Sequence, residues 1–262
     1  MQDRYDIIIS GAGLAGLVAA AAFGQARFSV LCVDPMPQVA DCDECDADLR
    51  STAFLQPAQA FLALLGVWEQ VASDAMPLQV MQIIDDGGKT EASRLDRSFK
   101  ADEISSLPFG WNVPNWLLRR EMLAHLDKLP DVELRQGIAS TKLFTRLKEA
   151  RVSFSDNTTA HAKLVIAADG PHSTMRQAAG ITTHVTRYGQ KALTFAVTHP
   201  QPHANVSSEI YRSGGPFTLV PLPDYQGKPS SAVVWMETSP KANSLQQLPV
   251  KAFEAVMTAR SC

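Results

Sequence analysis

Gly11, Gly13 and Gly16 are spaced as GxGxxG in the run Gly11-Ala12-Gly13-Leu14-Ala15-Gly16, and Asp34 closes the next apolar run. Residues of these types at this spacing can hold a dinucleotide. The first glycine permits a tight turn, the second lets backbone amides approach a pyrophosphate, and the third lets helix and strand pack closely. A helix beginning at the glycines directs its positive end at the phosphates. Asp34 is placed to accept hydrogen bonds from a pair of ribose hydroxyls. The bland alternative is a glycine turn that serves packing alone; the strand before, the helix after and the distal acid favour the dinucleotide.

A second group is Asp169-Gly170 with Ser173 and Arg176, in the run AADGPHSTMR. Asp169 stands at the carboxyl end of an apolar strand, where doubly wound folds place ligands. An ordinary Asp-Gly turn is the competing reading. Arg119 and Arg120 fall near the start of a helix, where a cation opposes the helix dipole, and this suggests that they serve a purpose beyond the helix itself, with a solvated face as the alternative. Arg50, alone, reads as a surface ion pair. Cys42 and Cys45 form a CxxC, but the acidic setting DCDECD disfavours thiolates and no second ligand pair follows, so a solvated loop is expected and no metal site.

The elements that must position these groups can be read from apolar pattern and breakers. A β-branched run at 7–9, an alanine-rich helix and an apolar run at 28–33 form strand, helix, strand. Helices are expected at 56–65 and 68–72. A hairpin is expected from strands 80–85 and 90–95 about Asp86-Gly87-Gly88, followed by an irregular polar stretch over 94–108. A helix over 115–129 carries an apolar face of Leu117, Leu118, Met122, Leu123 and Leu126. Short strands follow at 132–135, 140–147 and 151–154. The wholly apolar run 164–168 predicts a strand buried on both faces in a parallel sheet, and a helix over 171–179 follows. Strands at 192–197, 206–211, 217–220 and 232–237, with no helices between them, predict an antiparallel sheet in a second domain. A helix over 250–257 comes last.

The 262 residues are 45% hydrophobic and 19% charged with a formal net charge of −3, as in ordinary soluble globular proteins. That charge offers no case for nucleic acid. The longest apolar runs are too short to span a bilayer and no signal peptide opens the chain, so a cytoplasmic protein is expected.

Together GAGLAG, Asp34, Arg50 opening RSTAF, VPNWLLRREML and AADGPHSTMR resemble the group A flavin-dependent aromatic hydroxylases, FAD-dependent monooxygenases, and within them the ubiquinone-biosynthesis hydroxylases. The resemblance runs in order over essentially the whole chain. It implies an α/β fold: an FAD-binding Rossmann-like domain of the glutathione-reductase type with a parallel sheet, plus an antiparallel-sheet substrate domain. The expected division is 1–77 and 113–185 for the FAD-binding domain and 78–112 and 186–262 for the substrate domain.

By the same resemblance Gly11, Ala12, Gly13, Leu14, Ala15 and Gly16 would turn around the FAD pyrophosphate and Asp34 would bind the adenosine ribose. Arg50 and Arg119 would lie against the phosphate and ribityl region, with Asn115 at a flavin-contacting position of some relatives. Ile138 and Ala139 would flank adenine, and Asp169 and Gly170 would form the family's Asp-Gly motif. Trp111, Phe195, Tyr211, Phe217, Leu219 and Trp235 would supply the substrate wall, with packing as the commoner role for each. The implied activity is hydroxylation of a phenolic, polyprenylated intermediate of ubiquinone biosynthesis, with NADH or NADPH as electron donor and O2 as oxygen source. Peripheral association with the inner membrane or with a quinone-biosynthesis complex is implied as well. The alternatives are a flavin-dependent reductase or epoxidase of a lipid-like substrate and a non-catalytic FAD-binding fragment. The family's further Gly-Asp flavin motif is not found in these residues, so the chain is expected to be C-terminally truncated and to retain little FAD.

Overall fold

The β-branched residues Ile7, Ile8 and Ile9 lose rotamer freedom in a helix and suit a pleated strand. They occupy the middle of β1 (Arg4–Ser10) in a computed structural model that describes residues 3–37, 47–87, 95–212 and 214–261. Chain order continues with α1 (Leu14–Gln25), β2 (Val30–Asp34), β3 (Ser51–Leu55), α2 (Gln56–Leu64), α3 (Trp68–Val71), β4 (Met76–Leu78), β5 (Val80–Asp85), β6 (Leu95–Lys100) and β7 (Gly110–Pro114). Next come α4 (Asn115–Leu126), β8 (Val132–Gln136), β9 (Ser140–Thr145), β10 (Ala150–Phe154), β11 (Thr159–Ala167) and α5 (Thr174–Ala178). The last elements are β12 (Gln190–Thr198), β13 (Val206–Arg212), β14 (Gly215–Tyr225), β15 (Lys228–Thr238), α6 (Ser239–Gln246) and α7 (Val250–Ser261).

The chain divides into two compact units. One comprises Met1–Asp48, Phe61–Val71 and Asn115–His184, the other Leu49–Ala60, Ala72–Pro114 and Val185–Cys262.

The first unit is built on a sheet of order β8-β2-β1-β11-β10-β9. Its β8, β2, β1 and β11 run parallel, and β10 and β9 add an antiparallel edge. Helix α1 packs so closely on this sheet that a Cβ on Gly24 would lie 2.3 Å from the Val132 side chain. Elsewhere Ile8, Leu31, Val33, Val152, Phe154 and Met175 are buried in one apolar cluster.

The expectation that 164–168 is buried on both faces does not hold, since Leu164 is 47% exposed. β10 pairs with β11 only as far as Ala162, whereas β1 pairs with it as far as Ala167. The second half of the strand thus has β1 on one side without β10 on the other, and its side chains are correspondingly more open.

In the second unit the sheet order is β12-β15-β14-β13-β5-β6. It is antiparallel except where β5 pairs parallel with β13. Leu193, Ile210, Phe217, Val233 and Trp235 are buried with Ala242 and Leu245 of α6, and Phe253 and Met257 of α7 pack against them. A separate three-stranded sheet has the order β3-β7-β4, and the buried Asn112 side chain of β7 donates to the Pro221 carbonyl at 2.8 Å.

Several elements differ from expectation. The partner strand of β5 is Leu95–Lys100, where an irregular stretch was expected; residues 90–94 lie outside the described ones. Every residue of β6 is exposed, so this strand is held by its backbone ladder to β5 and leaves no apolar alternation to read. Helix α5 begins at Thr174 because Ser173 caps it. Helix α6 was not expected, although its proline in the first turn is a helix-start signal.

Candidate cofactor site

The turn between β1 and α1 is governed by close approach. Gly11 has φ +101°, and a Cβ there would lie 2.3 Å from the Ala168 carbonyl oxygen; a Cβ on Gly16 would lie 1.9 Å from the Gly11 oxygen. Neither position admits a side chain. A Cβ on Gly13, in contrast, meets nothing within 4 Å. Gly13 is the N-cap of α1, with no side-chain cap and no acid in the first turn. Gly13 is exposed and no side chain caps the first turn, so the helix start suits an anion.

Asp34 is buried at the end of β2. Its carboxylate accepts from the Ala12 amide at 2.5 Å and from the Met36 amide at 2.7 Å. Its own carbonyl accepts from the Ile138 amide at 3.1 Å, which draws the segment before β9 to the same spot. Beside Ile138, Ala139 donates its amide to the Ser155 hydroxyl at 3.0 Å. Gln136 is the register partner of Asp34, and its side-chain nitrogen is buried without a hydrogen-bond partner. Sequence reasoning missed Gln136; its place at the carboxyl end of a strand was the available signal. Cys32, two residues before Asp34, is a buried free thiol, pushed up to about 12 by burial and by the Asp34 charge.

Arg119, the fifth residue of α4, makes two contacts: its Nε donates to the Ala12 carbonyl at 3.3 Å and an Nη to the Pro37 carbonyl at 3.1 Å. It clamps the glycine turn to the chain that leaves β2. Arg120 pairs with Glu121 and lies over Trp116, a surface role. Asn115 donates to Asp48 at 3.0 Å.

Asp169 is fully engaged in its own loop. Its carboxylate accepts from the Ser173 hydroxyl and, at 3.0 Å, from the Met175 amide. Ser173 in turn accepts from the Arg176 amide at 3.0 Å, and Arg176 donates to the Pro171 carbonyl at 3.0 Å. Asp169, Ser173 and Arg176 thus brace the start of α5. Gly170, with φ +81°, turns the chain beside them.

Gly11, Ala12, Gly13, Leu14, Ala15, Gly16, Asp34, Arg119, Ala139, Asp169 and Gly170 all fall in the first unit, and the contacts above link the turns after β1, β2 and β11. Arg50 falls in the second unit, directly before β3. Cys42, Cys45 and Cys262 lie outside the described residues. The aromatic wall needs correction. Phe217 and Trp235 are 0% and 1% exposed with rings edge to face at 5.5 Å, and Phe195 packs on Phe253. These rings serve the core beneath α6 and α7, because their strand positions point toward the helices.

A family model described as an FAD binding domain matches residues 4–256. The chain belongs to this family. It is 31% identical over 258 residues to ubiquinone hydroxylase UbiL of Rhodospirillum rubrum, covering 97% of this chain and 57% of that one. It is 26% identical to 3-demethoxyubiquinol 3-hydroxylase of Escherichia coli, covering 95% and 62%. The chain thus spans about 57 to 62% of the length of these curated relatives. Among solved structures, Pseudomonas aeruginosa PqsL in complex with 2-aminobenzoylacetate aligns at TM-score 0.75 and 17% identity over 98% of this chain and 71% of that one. p-Nitrophenol 4-monooxygenase PnpA from Pseudomonas putida aligns at 0.75 and 18%, over 95% and 62%. These alignments establish the shared α/β fold, with its parallel-stranded sheet and its second, largely antiparallel one.

Proposed function

We propose that this chain forms part of an FAD-dependent monooxygenase that hydroxylates a phenolic, polyprenylated intermediate of ubiquinone biosynthesis with NAD(P)H and O2. Family membership and the likeness to ubiquinone hydroxylases support the reaction class. The observation that carries it to these residues is the approach of Gly11 to Ala168, which joins the glycine turn to the Asp-Gly turn at the carboxyl ends of β1 and β11.

The residues present fit FAD. The space before Gly13 and the uncapped start of α1 suit a pyrophosphate, and the orphaned Gln136 amide beside Asp34 suits an additional polar partner. Bound flavin would supply the redox and oxygen-transfer chemistry. The first-turn amides of α1 would hold the diphosphate, and Asp34, braced by Ala12 and Met36, would orient the ribose. Arg119 would keep the Ala12 carbonyl, and with it the whole turn, in place. Asp169 would act by shaping the loop that carries Gly170, while Ala139 would lie along the cofactor; for Arg50, which belongs to the second unit, only the family resemblance supports a cofactor role. The domain roles follow: the first unit for the cofactor, the second for the substrate. Since Phe217 and Trp235 face the helices, the opposite face of the second sheet, with Thr194, Thr218 and Val234 in one register row, is the better substrate surface.

Titration of the purified chain with FAD, read by quenching of flavin fluorescence, tests the cofactor. Weak but saturable binding that Gly13→Val removes is expected; binding equal in the variant would sink the assignment. Incorporation of labelled oxygen from O2 into a prenylated phenol, in the presence of NADPH, tests the reaction.

A further inference from the structure

The antiparallel edge of the first unit presents a row of side chains remote from the glycine turn. Phe144 is in register with Arg151, Arg151 with His161, and His161 with Arg4, so these residues lie side by side across β9, β10, β11 and β1. Next to them is an open cleft of about 940 Å3, lined by Arg146, Leu147, Lys148 and Lys163 among others. Its carboxylates are already matched: Glu149 lies 3.0 Å from Arg4, and Asp6 lies 2.8 Å from Lys163. Arg146, Lys148 and Arg151 remain in excess, on a chain whose formal net charge is −3. Positive charge is therefore concentrated here against the sign of the whole.

The turn between β9 and β10 has unusual chemistry. The Arg146 amide donates to the Glu149 carbonyl at 2.8 Å, which places Leu147 and Lys148 at the central positions. Those positions ordinarily hold Gly, Asn, Asp or Pro. Leu147 is 106% exposed and Phe144 is 52% exposed. Arg146 and Arg151 lie 5.3 and 5.7 Å from the centre of the Phe144 ring, so the exposed apolar groups are interleaved with cations.

An apolar tip ringed by cations matches the boundary between anionic head groups and acyl chains. A polynucleotide would use the cations and leave Leu147 without a function. We propose that the β9–β10 hairpin docks this protein on an anionic lipid surface. Leu147 and Phe144 enter the headgroup layer while Arg146, Lys148 and Arg151 meet the lipid phosphates. The surface lies at the amino ends of β1 and β11, opposite the glycine turn.

Co-sedimentation of the full 262-residue chain with vesicles tests the proposal. The chain is expected to pellet with vesicles of phosphatidylcholine mixed with phosphatidylglycerol, not with phosphatidylcholine alone, and to release as salt is raised. Reversing two charges in Arg146→Glu/Lys148→Glu should weaken binding at least about tenfold. Leu147→Ser, which leaves every charge in place, should weaken it several-fold. Circular dichroism and thermal midpoint should be unchanged in both variants, because all these side chains are exposed. Equal binding to neutral vesicles, undiminished binding by both variants, absence of binding to the mixed vesicles, or a preference for DNA over them would overturn it.

Discussion

The backbone amide of Ala12 donates to the Asp34 carboxylate at 2.5 Å, so the glycine turn and the end of β2 are joined by a buried, charge-assisted hydrogen bond. The other carboxylate oxygen holds Met36. Hydrogen bonds to a charged group contribute about 1.5–3 kcal/mol each. Met36 is half exposed, so its amide can turn to water and the second bond counts for less; Asp34→Ala is expected to destabilise the chain by about 2–4 kcal/mol and to weaken FAD binding, and Asp34→Asn by less, since the amide oxygen can retain one donor. Urea unfolding and flavin titration of both variants check this.

Glycine substitutions should separate folding from binding. Gly13→Ala adds a Cβ into open space and should change stability by less than about 1 kcal/mol while impairing FAD binding. Gly16→Ala forces a Cβ onto the Gly11 oxygen at 1.9 Å and should cost about 2 kcal/mol or more. Thermal melts of the two variants distinguish these outcomes.

The cap of α5 gives a graded series. Ser173→Ala removes an N-cap and should cost about 1 kcal/mol. Asp169→Ala removes the acceptor for both Ser173 and Met175 and should cost more, about 2–3 kcal/mol. If Asp169 acts only by holding its loop, adding Asp169→Ala to Ser173→Ala should cost less than the sum of the single effects. Full additivity in denaturation would contradict that coupling.

Stability should fall in alkali for an identifiable reason. Burial, followed by the Asp34 charge, pushes the Cys32 thiol up to about 12, and burial with the Glu133 hydrogen bond does the same for the Tyr5 phenol. Both groups keep their proton in the folded chain over a range where the unfolded chain loses it. Stability is thus complete below the unfolded values, 9.0 for the thiol and 10.0 for the phenol, and is lost as pH rises toward about 12. The slope should approach about 1.4 kcal/mol per pH unit for each group. Iodoacetamide at pH 8 should leave Cys32 unlabelled until the chain is unfolded, as peptide mass spectrometry would record.

Much of the fold was legible because its causes are local. The strand of Ile7 to Ile9, the glycine turn, α1 and Asp34 follow from residue type and spacing within a short run. Arg119 was singled out by its place near the start of its helix, and the structure gives it carbonyl partners at Ala12 and Pro37. Strand β6 was not legible, because all its side chains face water and its order comes from β5. The solvated loop expected around Cys42 and Cys45 falls outside the described residues.

The sequence by itself determined the βαβ start, the class of fold and the family, because turn geometry, helix polarity and apolar spacing act over neighbouring residues. Only the tertiary structure decided that Gly11 fits against Ala168, that the Asp169 carboxylate turns inward to Ser173 and Met175, and that Trp235 and Phe217 belong to the core. These outcomes depend on which segments distant in the chain are packed together, and a side chain's direction toward ligand, core or solvent follows from that packing.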